Sequence, residues 1–145
     1  MILALDSEVL VHWVMAGAPH HAPVRSLLAG EVREADGQLG LTPQVLVATY
    51  DRVTDSRCFG HPMPAAAAAT LVRKLWDGRE VARLLPGVAT LHRALELVQT
   101  QGLARDRLPD AFLAATLEGA GVRTLATLRP RDFASFAFLK LVVPS

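Results

Sequence analysis

The sequence is poor in the features that cross-link or anchor proteins outside the cell. It has one cysteine, Cys58, in 145 residues, so a disulfide framework within the chain is excluded. No apolar run approaches the roughly 20 residues that a helix needs to span a bilayer. The opening residues, MILALDSEVL, contain an acid at Asp6 and no basic leader, unlike a secretory signal. We therefore expect a cytoplasmic protein without a membrane segment.

An excess of one charge sign is also absent. The chain has 15 Lys and Arg against 14 Asp and Glu, a formal net charge of +1. This balance excludes a strongly basic nucleic-acid binder, but a nucleic-acid enzyme with segregated charges is still allowed. With 51% hydrophobic and 20% charged residues, the composition is that of a globular protein. The length is that of one domain, 1–145.

Several short enzyme motifs are missing. The sequence contains no P-loop and no GxGxxG fingerprint. It has no nucleophile elbow, so nothing points to the serine triad that its composition would allow. Its five histidines lack the spacing of metal ligands, and we expect them at the surface or at the edge of the core.

The hydrophobic pattern alternates between strands and helices. The run 2–5 is continuously apolar, as in a strand that is buried on both faces. Thr42 and Pro43 are a strong helix start, because Thr can cap a helix and Pro suits its first position. The predicted strands are 2–5, 38–41, 81–85, 124–127 and 139–143, and the predicted helices are 9–14, 21–35, 43–53, 65–76, 89–100 and 107–119. This alternation predicts an α/β domain on a mainly parallel sheet.

Two acids follow predicted strands. Asp6 comes directly after the first strand, and Asp132 comes five residues after Thr127, in the connection that leaves a late strand. The carboxyl ends of parallel strands form the crevice in which α/β proteins bind ligands. Both acids are therefore candidates for a functional site.

A third acid, Asp110, lies within an apolar helical stretch, LPDAFLAATLEGAG. Leu113 and Ala114 follow it by three and four residues, which places Asp110 on the apolar face of the helix. A carboxylate on that face needs a partner, because burying an isolated charge is costly. Asp106 and Arg107 precede it, but no basic residue follows three or four positions later.

Carboxylates that converge on one crevice repel each other unless they share a cation. Oxygen ligands favour Mg²⁺ or Mn²⁺, which can activate water and stabilise charge on a phosphate. The alternative is purely structural: Asp6 caps a helix, Asp110 is solvated or salt-bridged, and Asp132 belongs to a turn. Spacing alone leaves both interpretations open.

Five segments together resemble the PIN-domain family. The start 2–7 (ILALDS) is similar to its hydrophobic strand followed by Asp-Thr/Ser-Asn, and 41–46 (LTPQVL) resembles the start of the helix that carries its second acid. Segment 109–115 (PDAFLAA) is similar to its DAxLAA helix. Segments 125–133 (LATLRPRDF) and 141–144 (LVVP) resemble its last motif and terminal strand. The resemblance runs from residue 2 to 144.

This resemblance implies a PIN-like three-layer α/β/α fold and a metal-dependent endoribonuclease that cleaves single-stranded RNA. The nearest subgroup resembles the VapC toxins of type II toxin–antitoxin pairs, which an antitoxin holds inactive and which typically dimerise. By position, Asp6 and Asp110 would bind Mg²⁺ (or Mn²⁺), and Asp132 matches the acid of the last motif.

The sequence departs from the family pattern at three positions. The family usually has Glu where this chain has Ala48, and Ala cannot bind a metal ion or a proton. The opening motif has Glu8 in place of Asn. The last motif has Arg129 in place of Asn or Asp. Arg129 could neutralise the acids and replace a cation, contact RNA phosphate, or be a surface arginine.

Two other acids are possible substitutes. Asp51 lies one helical turn after Ala48, and Glu8 lies close to Asp6. Alternatively, Asp51 pairs with Arg52 or Arg57, and Glu8 is an acid that the helix dipole favours in the first turn.

Arginines flank the motif acids. Arg105, Arg107, Arg129 and Arg131 are the candidate RNA contacts, because an RNA enzyme needs cations around its acidic crevice. A solvated helix surface explains most of the arginines equally well. Two hypotheses therefore remain: an Mg²⁺-dependent ribonuclease toxin, or a catalytically weak or inactive PIN-fold protein that binds RNA or a protein partner.

Overall fold

The computed structural model describes residues 1–33 and 37–145, with only the backbone of Val32 and Arg33. Its strands are β1 (Ile2–Leu5), β2 (Gln38–Leu41), β3 (Val81–Arg83), β4 (Thr124–Ala126) and β5 (Lys140–Val142). Its helices are α1 (Ser7–Val14), α2 (His21–Arg33), α3 (Pro43–Val53), α4 (Ala65–Trp76), α5 (Thr90–Gln101), α6 (Leu108–Gly119) and α7 (Pro130–Phe133), with a short 3-10 helix at Arg105–Arg107.

The strands form one parallel sheet in the order β3-β2-β1-β4-β5. From β1 the chain moves through β2 to β3 in one direction and then crosses to β4 on the other side. Because such crossovers are right-handed, α1 to α4 cover one face of the sheet and α5 and α6 cover the opposite face. The predicted α/β/α fold with a parallel sheet is confirmed.

The central strand β1 is buried on both faces. Leu3, Ala4 and Leu5 are each 1% exposed, as expected of a parallel strand between two helical layers. The reversal of strand order beside β1 also creates the place where open α/β sheets bind their ligands. The carboxyl ends of β1 and β4 therefore face the most favourable site of the fold.

Local sequence sets the start of α3. The Thr42 side chain accepts a hydrogen bond from the Val45 amide at 3.2 Å, and Pro43 is the first helical residue. This agrees with the predicted cap. The helix contains both Ala48 and Asp51.

The predicted boundaries differ from the structure at several element ends. The third predicted strand, 81–85, ends at Arg83, and β5 covers Lys140–Val142 within the predicted 139–143. Residues 34 and 35 of the second predicted helix lie outside the described residues. The four-residue helix α7 was expected as a plain connection. Among the described residues, no helix is both long and apolar enough to cross a membrane.

Candidate functional site

Asp6 lies at the end of β1 and is 2% exposed. Its Oδ1 accepts a hydrogen bond from the Ser7 amide at 2.7 Å, so Asp6 caps α1 as one alternative proposed. Its Oδ2 accepts a hydrogen bond from Thr127 Oγ1 at 3.1 Å. Asp6 is thus a buried carboxylate that joins the ends of β1 and β4.

Asp110 lies in the first turn of α6 and is 8% exposed. Its Oδ2 accepts a hydrogen bond from Arg107 Nε at 3.1 Å, and its Oδ1 accepts one from Arg129 Nη2 at 3.0 Å. The buried acid therefore has the partners that its position on the apolar face requires. Arg107 precedes Asp110 by three residues, whereas Arg129 comes from a distant part of the chain.

Asp132 lies in α7, at the more open side of the same cluster. Its Oδ2 accepts a hydrogen bond from Arg129 Nη1 at 3.2 Å, and its Oδ1 lies 3.5 Å from Arg107 Nη1. Arg107 Nη2 also donates to the backbone carbonyl of Asp132. The structure therefore brings the three predicted acids together, with two arginines between them. We call Asp6, Asp110, Asp132, Arg107 and Arg129 the charge cluster.

Arg129 is the centre of the charge cluster. Its Nη2 donates to Asp6 Oδ2 at 3.1 Å and to Asp110 Oδ1 at 3.0 Å. Its backbone amide donates to Thr127 Oγ1 at 2.9 Å, and its guanidinium carbon lies 5.5 Å from the centre of the buried Phe133 ring. The side chain is only 33% exposed. It is a built part of the site, so the interpretation of a plain surface arginine is wrong.

Burial and pairing act in opposite directions on the ionisation of these groups. Burial raises the pKa of Asp6 above its usual value, although Arg129, the Ser7 amide and Thr127 oppose the rise. Burial alone would lower the pKa of the Arg129 guanidinium, but the charges of Asp6 and Asp110 outweigh it, and the pKa is raised. Arg129 thus remains a fixed cation in a partly desolvated site.

The guanidinium of Arg129 occupies the space between the two acids that could hold a divalent ion. Asp6 and Asp110 have the oxygen ligands that Mg²⁺ prefers, at about 2.0–2.1 Å from the ion. Arg129 Nη2 lies between these two carboxylates, at 3.0 to 3.3 Å from their oxygens. Across 1–33 and 37–145, no three His, Cys, Asp or Glu side chains are grouped to hold a metal ion. The site as folded does not fit Mg²⁺.

A cleft of about 590 Å³ lies in front of the charge cluster. Ala48 lines it at the position where the family pattern has Glu. Asp51 and Glu8 line it too, but Arg52 Nη1 donates to Glu8 Oε1 at 2.8 Å. Arg57 pairs with Asp55, so both arginines that could pair with Asp51 bind other acids. Asp51 is exposed, as is Asp106, another acid that lines the cleft.

The four candidate RNA-contacting arginines divide into two pairs. Arg107 and Arg129 belong to the charge cluster and are partly buried. Arg105 and Arg131 are exposed, one before α6 and one within α7. The second pair therefore offers its charge to solvent, next in the chain to Asp106, which lines the cleft, and to Asp132 of the charge cluster.

Sequence reasoning missed the part played by Thr127. This buried hydroxyl donates to Asp6 and accepts from the Arg129 amide, so it connects an acid to the residue that neutralises it. A threonine directly after a buried strand was a signal for such a role. The link to Asp6, 121 residues away along the chain, required the fold.

A second, apolar groove of about 470 Å³ lies between α3 and α4. Pro43, Leu46, Val47, Tyr50 and Trp76 are among its lining residues. Val47 is 70% exposed, so the groove presents apolar surface to solvent. This groove is lined mostly by apolar residues, whereas several charged residues line the cleft at the charge cluster.

Comparison with known proteins places the chain beside VapC proteins. No protein-family model matches it. It is 27% identical over 143 residues to Ribonuclease VapC24 of Mycobacterium tuberculosis strain H37Rv, which covers 99% of this chain and 97% of that protein. The resemblance inferred from the five motif segments is confirmed.

Solved structures agree on the fold. The crystal structure of VapC20 from Mycobacterium tuberculosis, a toxin that cleaves the sarcin-ricin loop, has a TM-score of 0.65 and 18% identity, covering 85% of this chain and 86% of that one. The structure of VapBC2 from Rickettsia felis, bound to a DNA fragment from its promoter, has a TM-score of 0.68 and 15% identity over 100% of both chains. At these identities the likeness shows the PIN-like fold.

Proposed function

We propose that this chain, with its VapC-like fold, is an endoribonuclease and the toxin of a type II toxin–antitoxin pair. It would act as one PIN-like domain spanning 1–145, in the cytoplasm where its RNA substrate lies. The observation that carries the proposal is the convergence of Asp6, Asp110 and Asp132 at the carboxyl ends of β1 and β4. That is the crevice in which this class of sheet places its chemistry.

The charge cluster and its surroundings supply two things that RNA cleavage needs. Asp132, the most exposed of the three acids, can accept a proton from an attacking water whose oxygen bonds to phosphorus; the P–O bond to the leaving ribose oxygen breaks, and that oxygen takes a proton from solvent. Arg105 and Arg131 can bind backbone phosphates beside the cleft, and the charges of Arg107 and Arg129, which stay paired with their acids, can stabilise the phosphate under attack without direct contact. We propose Asp6 and Asp110 as the acids that hold these arginines in place.

Mg²⁺ is the cofactor that the resemblance implies, and Asp6 and Asp110 are its implied ligands. The guanidinium of Arg129 stands between those two carboxylates, and Ala48 removes a third. No part of the cleavage chemistry above therefore depends on an ion. Asp51 and Glu8 remain the candidate substitute acids, with Glu8 engaged by Arg52.

A protein partner is the third part of the proposal. The apolar groove between α3 and α4 supports binding of an antitoxin or a second copy of the chain, since exposed apolar surface of this kind marks interaction sites. Size measurement by light scattering tests the homodimer, and co-purification with the product of the neighbouring gene tests the antitoxin.

Cleavage of RNA by the purified protein tests the central claim. We expect the wild-type protein to cut single-stranded RNA and Asp110→Asn, which weakens the hold on Arg107 and Arg129, to lose activity by about 100-fold or more. Glu118→Gln is the matched control, because it removes an acid from the same helix at an ion pair with Arg93, outside the cleft. Cleavage that Asp110→Asn leaves intact would come from a contaminant and would contradict the proposal.

The second candidate is a PIN-fold protein with little or no catalysis that binds RNA or a partner. Ala48 and the neutralising position of Arg129 specifically favour it. The same assay separates the two candidates when it is run beside an RNA-binding measurement. Binding without cleavage, unchanged by added Mg²⁺ or Mn²⁺, supports the second candidate and excludes the first.

A further inference from the structure

We propose that Arg129 is the built-in cation of this site, and that its guanidinium takes the place of a divalent metal ion between Asp6 and Asp110. The folded protein then does not bind Mg²⁺ or Mn²⁺ at these acids, whereas removal of Arg129 creates a metal site. This inference concerns the site of the proposed function, but its test involves no RNA, so the two can fail separately.

Arg129 lies where an ion shared by Asp6 and Asp110 would have to lie. One nitrogen atom, Arg129 Nη2, donates to Asp6 and to Asp110 at 3.1 and 3.0 Å. An ion that bridged the same oxygens at about 2.0–2.1 Å would have to lie in the space of that nitrogen. The guanidinium and the ion therefore exclude each other.

Arg129 is held in the charge cluster by its backbone as well as its side chain. Its backbone amide is bound to Thr127 Oγ1, its Nη1 to Asp132, and its guanidinium plane lies near the Phe133 ring. Its Nε is buried and has no hydrogen-bond partner among the described residues. Such desolvation is costly, and the ion pairs with three acids offset it.

The charges of the three acids are largely balanced by Arg107 and Arg129. The three acids and two arginines leave the charge cluster with one net negative charge, so it has little need of a second cation. Without Arg129 the cluster would carry two net negative charges, which a divalent ion would balance. Two carboxylates are enough for Mg²⁺ when water supplies the other ligands. The loss of the family's acid at Ala48 is compatible with this exchange.

The experiment is a titration with Mn²⁺ alone, followed by electron paramagnetic resonance of the free ion and by thermal unfolding. We expect no site-specific binding to the wild-type protein at millimolar Mn²⁺. We expect Arg129→Asn to bind about one equivalent and to gain several degrees of melting temperature on adding Mn²⁺. Arg131→Asn removes an exposed arginine two residues away, in α7, and should behave as the wild-type protein.

Addition of Asp110→Asn to Arg129→Asn should abolish the binding, which locates the ion at the cluster. If Arg129→Asn fails to fold, the wild-type protein still tests the proposal through the broadening of its amide NMR signals by Mn²⁺. Selective broadening at Ser7 and Thr127 would overturn the proposal, as would a folded Arg129→Asn that binds no Mn²⁺. An absence of broadening at those amides supports it.

Discussion

The hydroxyl of Thr127 is hydrogen-bonded to both Asp6 and Arg129, which carry opposite charges. It is fully buried, donates to Asp6 and accepts from the Arg129 amide. We predict that Thr127→Val lowers the free energy of unfolding by about 1–3 kcal/mol, because it leaves buried polar groups without a partner at nearly constant volume. Urea unfolding measures this change.

Thr127→Ser retains the hydroxyl and serves as the matched control. Thr127→Ser should lower the free energy of unfolding by less than Thr127→Val does, because only a methyl group is removed. Equal losses for the two variants would show that packing of the methyl group, and not the hydroxyl, stabilises this position.

The ionisation of Asp6 gives a separate test of the charge cluster. Burial raises its pKa, and the charge of Arg129 is the largest influence that opposes the rise. We predict that Arg129→Ala raises the pKa of Asp6 further, which ¹³C NMR of the carboxyl group can follow. Arg131→Ala should leave it unchanged, and a fall in the pKa after Arg129→Ala would contradict the pairing.

Because the pKa of Asp6 is raised, the free energy of unfolding depends on pH. An acid whose pKa is raised by folding binds its proton more tightly in the folded state. Its ionisation therefore lowers the free energy of unfolding as the pH rises from the usual value of 3.8 through the raised value. In Arg129→Ala this loss should be larger and should extend to higher pH than in the wild-type protein.

Strand β2 depends on close packing at Gly40. A Cβ atom there would lie 2.8 Å from side-chain atoms of Ile2 and Leu84 and 3.3 Å from the Ala4 Cα. Because the Ala4 contact is backbone, it cannot be relieved by a change of rotamer. We predict that Gly40→Ala destabilises the protein by about 1–3 kcal/mol in urea unfolding.

Gly30→Ala is the control for this substitution. Gly30 lies within α2, and a Cβ there meets nothing within 4 Å. Alanine in a helix interior is favourable, so this variant should be neutral or more stable by up to about 1 kcal/mol. If both substitutions had the same effect, close packing of β2 against β1 would not be what requires the glycine.

The helices and strands that could be predicted are those with strong local signals. The apolar run of β1 and the cap of α3 at Thr42 and Pro43 are encoded by neighbouring residues, and both agree with the structure. Helix α7 has only four residues, too few to show a helical period, and it begins at Pro130. Such a short helix is held by its surroundings, which a local pattern does not contain.

The sequence predicts which acids lie in the site, but it predicts the role of the arginines only in part. Strand ends indicated Asp6, and the apolar face of a helix indicated Asp110. The sequence also raised the possibility that Arg129 neutralises the acids, because it departs from the family pattern. That one nitrogen joins Asp6 and Asp110 depends on contacts between residues 123 and 19 positions apart, which spacing cannot specify. The catalytic roles of these residues stay predictions.

The chain has 15 bases and 14 acids, and in the folded protein many of them form ion pairs with each other. Several arginines are paired with acids: Arg52 with Glu8, Arg57 with Asp55, Arg93 with Glu118, and Arg107 and Arg129 within the charge cluster. Charges paired in this way release few counterions when a nucleic acid binds. RNA affinity should therefore depend on few cations.

Arg105 and Arg131 are the two candidate contacts that form no ion pair with any residue the structure describes. For single strands, log K falls with log salt at a slope of about −0.7 for each phosphate neutralised. Two such contacts give a slope of about −1.4 for a hydrolysis-resistant phosphorothioate RNA oligonucleotide, measured by fluorescence anisotropy. Arg105→Gln and Arg131→Gln should each reduce the magnitude of the slope by about 0.7.

Arg25→Gln, which removes an exposed arginine of α2, is the control and should leave the slope unchanged. A slope near −3 in the wild-type protein would mean that Arg107 and Arg129 leave their acids to bind phosphate, and that RNA rearranges the charge cluster.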